Sequence, residues 1–133
     1  MAAHGPELVG RRFSSLDEYL ISPTALESFA AVVGAKPGTI PPTFLITFAV
    51  AAAEDFLPTL GFNWSRVVHG DQRFLHHEQI KPGERLRSTS EIESYKSLAG
   101  NEFVNIRTDF FEVLTNKKIS STWSTLVFRG EES

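Results

Sequence analysis

Residues 41–56 read P-P-T-F-L-I-T-F-A-V-A-A-A-E-D-F. Between Phe44 and Ala53 the only polar side chain is Thr47. A helix that is apolar on every face has to be surrounded by protein. The run is too short to span a bilayer, which needs ~20 residues. Alanine is plentiful and valine and isoleucine are few, which favours helix over buried strand. Pro41 and Pro42 suit a helix start, because proline lacks only an N–H that the first turn leaves unpaired. Glu54 and Asp55 stand at the wrong end for the helix dipole, and Pro58 follows, so the helix stops near them. The pattern predicts a central helix over 41–56 with the rest of the chain wrapped round it. An ordinary core helix of an α+β domain is the plainer alternative.

Working outward, the 133 residues suffice for one domain. With 41% hydrophobic and 22% charged residues the chain should be globular and ordered. Eleven phenylalanines supply bulky material for a core or an apolar tunnel. The formal net charge of -3, without a basic block, argues against a nucleic-acid partner. The absence of cysteine removes both a disulfide framework and a thiol nucleophile. Residues 1–10 lack the apolar core of a secretory signal, and no apolar run is long enough for a membrane span. The expectation is a cytoplasmic protein with no membrane partner.

Residues 1–10 read as a polar, mobile lead containing Gly5, Pro6 and Gly10, and 130–133 as a tail. The domain should occupy 11–129. Residues 11–21 are a short strand or a loop leading in. Ser22 and Pro23 look like an N-cap and a first helical position, and Gly34 like a C-terminal stop. Between them Leu26, Phe29, Ala30 and Val33 keep helical spacing, so 23–33 is an amphipathic helix. Four strands should follow, over about 64–80, 84–98, 102–114 and 118–128, forming a long antiparallel meander. Leu86 and Ile92 share a parity in the second of these. Ile119, Trp123 and Leu126 in the last do not keep one face, which suggests a bulge or two-sided burial. A sheet curling round the apolar helix is the economical packing of this order, and that is the hot-dog architecture.

P-P-T-F at 41–44, V-V-H-G-D-Q-R-F at 67–74 and K-P-G-E-R-L at 81–86 occur in an order that resembles the MaoC-like dehydratase family, specifically its N-terminal, FAS1-type dehydratase domain. L-V-G-R-R-F at 8–13 fits the start of that domain. The resemblance implies a hot-dog fold and (3R)-hydroxyacyl-thioester dehydratase or enoyl-thioester hydratase chemistry. It further implies a dimer, either a homodimer or a heterodimer with a catalytic MaoC-like subunit. It implies no metal and no cofactor; the coenzyme A or acyl carrier protein thioester is substrate.

Reversible dehydration needs a base at the α-carbon, an acid at the hydroxyl and donors for the thioester oxygen. Catalytic members resembling this chain carry an Asp and a His in D-x-N-P-x-H, between the first helix and the central one. Here that loop is A-K-P-G-T at 35–39, with no Asp, Asn or His. The resemblance therefore implies a subunit that binds the acyl chain while a partner supplies the dyad. It is similar to the non-catalytic subunit of two-subunit 3-hydroxyacyl carrier-protein dehydratases.

His69 and Asp71 stand two apart and on a regular strand would share a face, as an acid/base pair or as a structural pair. Arg73 is a phosphate contact or a solvated strand arginine. His76, His77 and Glu78 hint at a metal without a spaced ligand set. Substrate-binding candidates are Thr43, Phe44, Phe48, Asn63, Trp64, His69 and Gln72. Thr43 opens the helix, where free N–H groups can hold a carbonyl oxygen, or else caps it. Phe44, Phe48, Phe56, Phe62 and Trp64 are core or tunnel lining, and Asn63 also reads as a plain turn residue. Two rival functions stay open: an acyl-thioester-binding homodimer without chemistry, and a thioesterase using Glu54 or Asp55.

Overall fold

The computed structural model describes residues 5–15, 18–34, 41 and 43–130. The elements are β1 (Arg12–Ser14), β2 (Tyr19–Leu20), α1 (Pro23–Val33), α2 (Ile46–Phe56), β3 (Val67–His76), β4 (Arg85–Leu98), β5 (Asn101–Glu112) and β6 (Lys118–Phe128). They form an α+β hot-dog: one antiparallel sheet in the order β1-β4-β5-β6-β3, with β2 also on β4, curved against α2. Among the described residues no helix is long and apolar enough to cross a membrane.

The meander has three strands rather than four. β3 pairs with β6 and forms one edge of the sheet, so the connection after His76 crosses to the far side to start β4. β4 and β5 are joined by Ala99 and Gly100, both at positive φ (54° and 82°), the backbone that a two-residue hairpin with the native strand twist requires. The irregular parity of the last strand has a bulge as its cause: the pairing jumps from Phe110–Ser120 to Phe111–Lys118, leaving Ile119 as the extra residue.

α1 is bounded as its sequence predicts. The Ser22 hydroxyl accepts from Ala25 N at 3.0 Å, Pro23 opens the helix and Gly34 closes it at φ 77°. α2 starts later than its prolines suggest. Phe44, Ile46 and Thr47 donate backbone bonds to residues three back, and regular helix begins at Ile46. Nor is α2 enclosed on every side. Ala49, Ala52, Ala53 and Phe56 are buried, Ile46, Val50 and Ala51 are half-buried, and Thr47, Glu54 and Asp55 are exposed. The sheet covers one side of the helix, and alanine on that side lets the two layers approach closely. Ahead of β1, a 3-10 turn at Pro6–Leu8 places Leu8 in the core, and Gly10 N donates to Ile92 O at 2.8 Å. The packed structure thus reaches back into the stretch read as a mobile lead.

Two apolar clusters fill the space between the layers. One gathers Phe56, Leu57, Phe62, Ile92, Val104 and Phe128, the other Ile21, Phe44, Leu45, Leu86, Phe110 and Ile119. Each central strand passes from one cluster to the other through hydroxyl residues. These are Ser88 and Ser90 on β4, Thr108 on β5, and Ser120, Thr122 and Ser124 on β6, all buried.

Candidate functional site

The β3 edge carries the polar side chains that the sequence singles out, but arranges them differently. His69 opposes Leu126 and Asp71 opposes Thr125, which are consecutive on β6, so a bulge falls at Gly70. His69 and Asp71 therefore do not share a face, and no acid/base pair forms between them. The bulge gives His69 a different partner. Its Nε2 lies 2.8 Å from Gln72 Oε1, and Ser124 Oγ donates to the same oxygen at 2.6 Å. With Nε2 protonated, His69 is the second donor, and the Gln72 amide is held by both. Its Nε2 is buried with no hydrogen-bond partner. The result is an oriented N–H donor near an open sheet edge. Asp71 instead accepts from Gln72 N at 2.8 Å on the outer side.

β3 itself has an exposed burial pattern, with Val68 and Leu75 about half exposed, and no strand pairs along its outer side among the described residues. Such an edge offers unpaired backbone groups to a further strand.

The other candidates divide between the two clusters. Phe44 is buried, stacks edge-on against Phe29 and Phe48 at 5.5 Å, and belongs with Phe110. Phe48 is half-buried and stacks on Tyr19 at 4.8 Å. Trp64 packs at the opposite end, against Phe128. Asn63 is the cap of a 3-10 turn: its Oδ1 accepts from Ser65 N at 3.1 Å and from Ser65 Oγ at 2.7 Å. Thr43 is exposed and is not the cap of α2, whose N-cap is Leu45 without a side-chain bond. The amides of Phe44, Ile46, Thr47 and Phe48 are committed to turn bonds, so the free N–H fork expected at Thr43 is largely used up.

Arg73 lies over the Trp123 ring, 5.0 Å from its centroid, on the outer face of the sheet. His76 Nδ1 is 2.6 Å from Ser120 Oγ, His77 N donates to Ile119 O at 2.7 Å, and Glu78 pairs with Lys117. That ion pair lowers the Glu78 pKa and raises that of Lys117. Among the described residues no three His, Asp or Glu side chains come together as metal ligands. The loop at 35–39, where the dyad would lie, is outside the described residues apart from its sequence.

Residues 27–117 match the family described as "FAS1-like, dehydratase domain region". The chain belongs to this family. Its relatives include UPF0336 proteins. One from Streptomyces coelicolor is 34% identical, covering 94% of this chain and 95% of its own. Another, from Saccharopolyspora erythraea, is 38% identical over 82% of this chain and 71% of its own. Among solved structures, the C-terminally truncated HadBC (3R-hydroxyacyl-ACP dehydratase) complex from Mycobacterium tuberculosis is similar at a TM-score of 0.80 and 20% identity, covering 90% of this chain and 96% of that one. R-hydratase PhaJ1 from Pseudomonas aeruginosa follows the same fold at a TM-score of 0.66 and 20% identity, covering 93% and 83%. This family member thus has the hot-dog fold of MaoC-like dehydratases.

Gln72 stood in the motif, but its link to Ser124 did not, because strand pairing beyond the hairpins is not local. The hydroxyl band had a usable signal: Ser88 and Ser90 share the parity of Leu86 and Ile92, which puts them on the buried face.

Proposed function

We propose that this chain is the acyl-binding subunit of a (3R)-hydroxyacyl-thioester dehydratase or enoyl-thioester hydratase, and that a second MaoC-like chain supplies the catalytic Asp and His. The observation that carries this reading is the A-K-P-G-T loop at 35–39, which holds no Asp, Asn or His and so lacks the dyad. Three further features support it. The β3 edge is open to a second protomer. The Gln72 amide beside that edge is fixed through Oε1 and keeps an unpartnered N–H. One solved structure of similar fold is that of a complex, HadBC.

The partner's base removes the α-proton, its acid protonates the departing hydroxyl, and water leaves. As enolate character grows on the thioester oxygen, donors facing it stabilise the charge more than they stabilise the ground state. Gln72 Nε2 is the donor assigned to that role, since the amides of Phe44, Ile46, Thr47 and Phe48 are spent in turns. The thioester of coenzyme A or of a carrier protein is substrate, and the chain works without a metal or redox cofactor of its own.

The test is the native mass of this chain mixed with a MaoC-like chain that carries D-x-N-P-x-H and is encoded beside it. A stoichiometric heteromer that vanishes when β3 is blocked by Val68→Lys is expected. A homodimer that ignores the second chain, together with hydration by this chain alone, would overturn the proposal.

A further inference from the structure

At the opposite edge of the sheet from β3, a cleft of about 380 Å³ opens between β1, β4 and the C-terminal half of α2. That volume lies near the lower end of small-ligand pockets, ~300–1,000 Å³. Its walls are aromatic. Phe13 stacks flat on Phe56 with ring centroids 4.0 Å apart, and Tyr19 stands on the other side against Phe48. Its floor is Ala52, Ser88 and Ser90.

Ser88 is 2% exposed, and its Oγ has no hydrogen-bond partner. A buried hydroxyl left in that state costs stability. Neither Ser15 nor Ser90 is hydrogen-bonded to that oxygen. Ser15 Oγ accepts from Ser88 N at 3.0 Å, and Ser90 Oγ is paired with Thr108 Oγ1 at 3.0 Å. The charged side chains of the lining, Arg12 and Asp55, are both exposed and stand at the rim. Arg12 is bonded to Glu91 at 2.9 Å, and Asp55 stands across the opening.

We propose that this cleft binds a compact neutral molecule with a flat apolar body and a hydroxyl or carbonyl at its inner end, which pairs with Ser88 Oγ. The site is separate from the β3 edge and does not depend on the dehydratase reading. The aromatic walls take the body, the serine takes the oxygen, and a floor of alanine and serine offers no partner to a charged group.

The probes are 2-phenylethanol and its hydrocarbon analogue ethylbenzene, titrated into the full chain and followed by backbone-amide NMR. Saturable shifts centred on Phe13, Ser88 and Ser90 are expected, with contacts from the phenyl protons to Phe13 and Phe56. Ser88→Ala should weaken 2-phenylethanol about fivefold, the worth of one neutral hydrogen bond, and leave ethylbenzene unchanged or tighter. Shifts that never saturate or that scatter over the molecule would overturn the proposal in the wild-type chain alone. So would an equal loss of both probes in Ser88→Ala.

Discussion

Gln72→Met replaces an amide by a side chain of similar shape with no donor and only a weak acceptor, and its effect on stability follows from three terms. Ser124 Oγ, on a residue only 8% exposed, loses its acceptor, a cost of about 1–3 kcal/mol for a buried group left unsatisfied. His69 also loses a partner, but it is exposed and water replaces the bond at little cost. Against these, the substitution removes the buried, unpartnered Gln72 Nε2, whose burial already costs about 1–3 kcal/mol. The terms nearly cancel, so stability should change by no more than about 1 kcal/mol. Ser124→Ala keeps that orphan amide and removes one of its two anchors, and should cost about 0.5–1.5 kcal/mol. Function should respond in the opposite order. In the two-chain hydration assay Gln72→Met should lower kcat/KM roughly tenfold, because the donor to the thioester oxygen is gone, while Ser124→Ala should lower it less. Urea midpoints read by tryptophan fluorescence, at one fixed protein concentration, give the stabilities. A loss above about 2 kcal/mol in Gln72→Met with unchanged kcat/KM would refute the reasoning and make Gln72 a structural tie.

Other parts of the molecule make independent predictions. Ala99 holds a φ of 54° in a two-residue turn before Gly100, so Ala99→Asn should raise the unfolding free energy by about 0.5–1 kcal/mol in the same urea titration. Tyr95 is pushed up to about 12 by burial and by its 2.7 Å hydrogen bond to Glu102. The folded chain therefore keeps a proton that the unfolded chain releases near pH ~10, and stability should fall as pH rises from there through the folded value. Tyrosinate absorbance should show a late-titrating component that Tyr95→Phe removes. Phe110 is 0% exposed at the centre of the second cluster, so Phe110→Ala should cost about 3–5 kcal/mol by thermal or chemical denaturation.

Local chemistry was legible in the sequence, and long-range pairing was not. Ser22, Pro23 and Gly34 bound α1 as capping rules require. The β4–β5 hairpin is local in the same sense, because the backbone angles at Ala99 and Gly100 are a property of two residues. The position of β3 was hidden, since no turn signal says that a strand skips two neighbours to pair with the last one. The late start of α2 was hidden as well. Prolines are compatible with a first helical turn but do not require one, and here Thr43–Leu45 wind more tightly.

The site was legible in composition and misjudged in geometry. Counting by twos puts His69 with Asp71, and one extra residue at Gly70 hands His69 to Gln72 instead. A glycine inside a strand pattern is the only local sign of such a bulge. The enclosure of α2 was overestimated because an apolar run states what a helix avoids, not what covers it; Ile46, Val50 and Ala51 remain half-buried in the single chain.

The most direct measurement is hydration of crotonyl-coenzyme A by the purified chain, alone and mixed with its dyad-bearing MaoC-like neighbour. The account predicts no hydration alone and clear hydration in the mixture, lost when the neighbour's Asp or His is removed. Hydration by this chain alone would contradict it, because the described residues and the 35–39 loop would then contain an acid and a base that the account assigns to another chain.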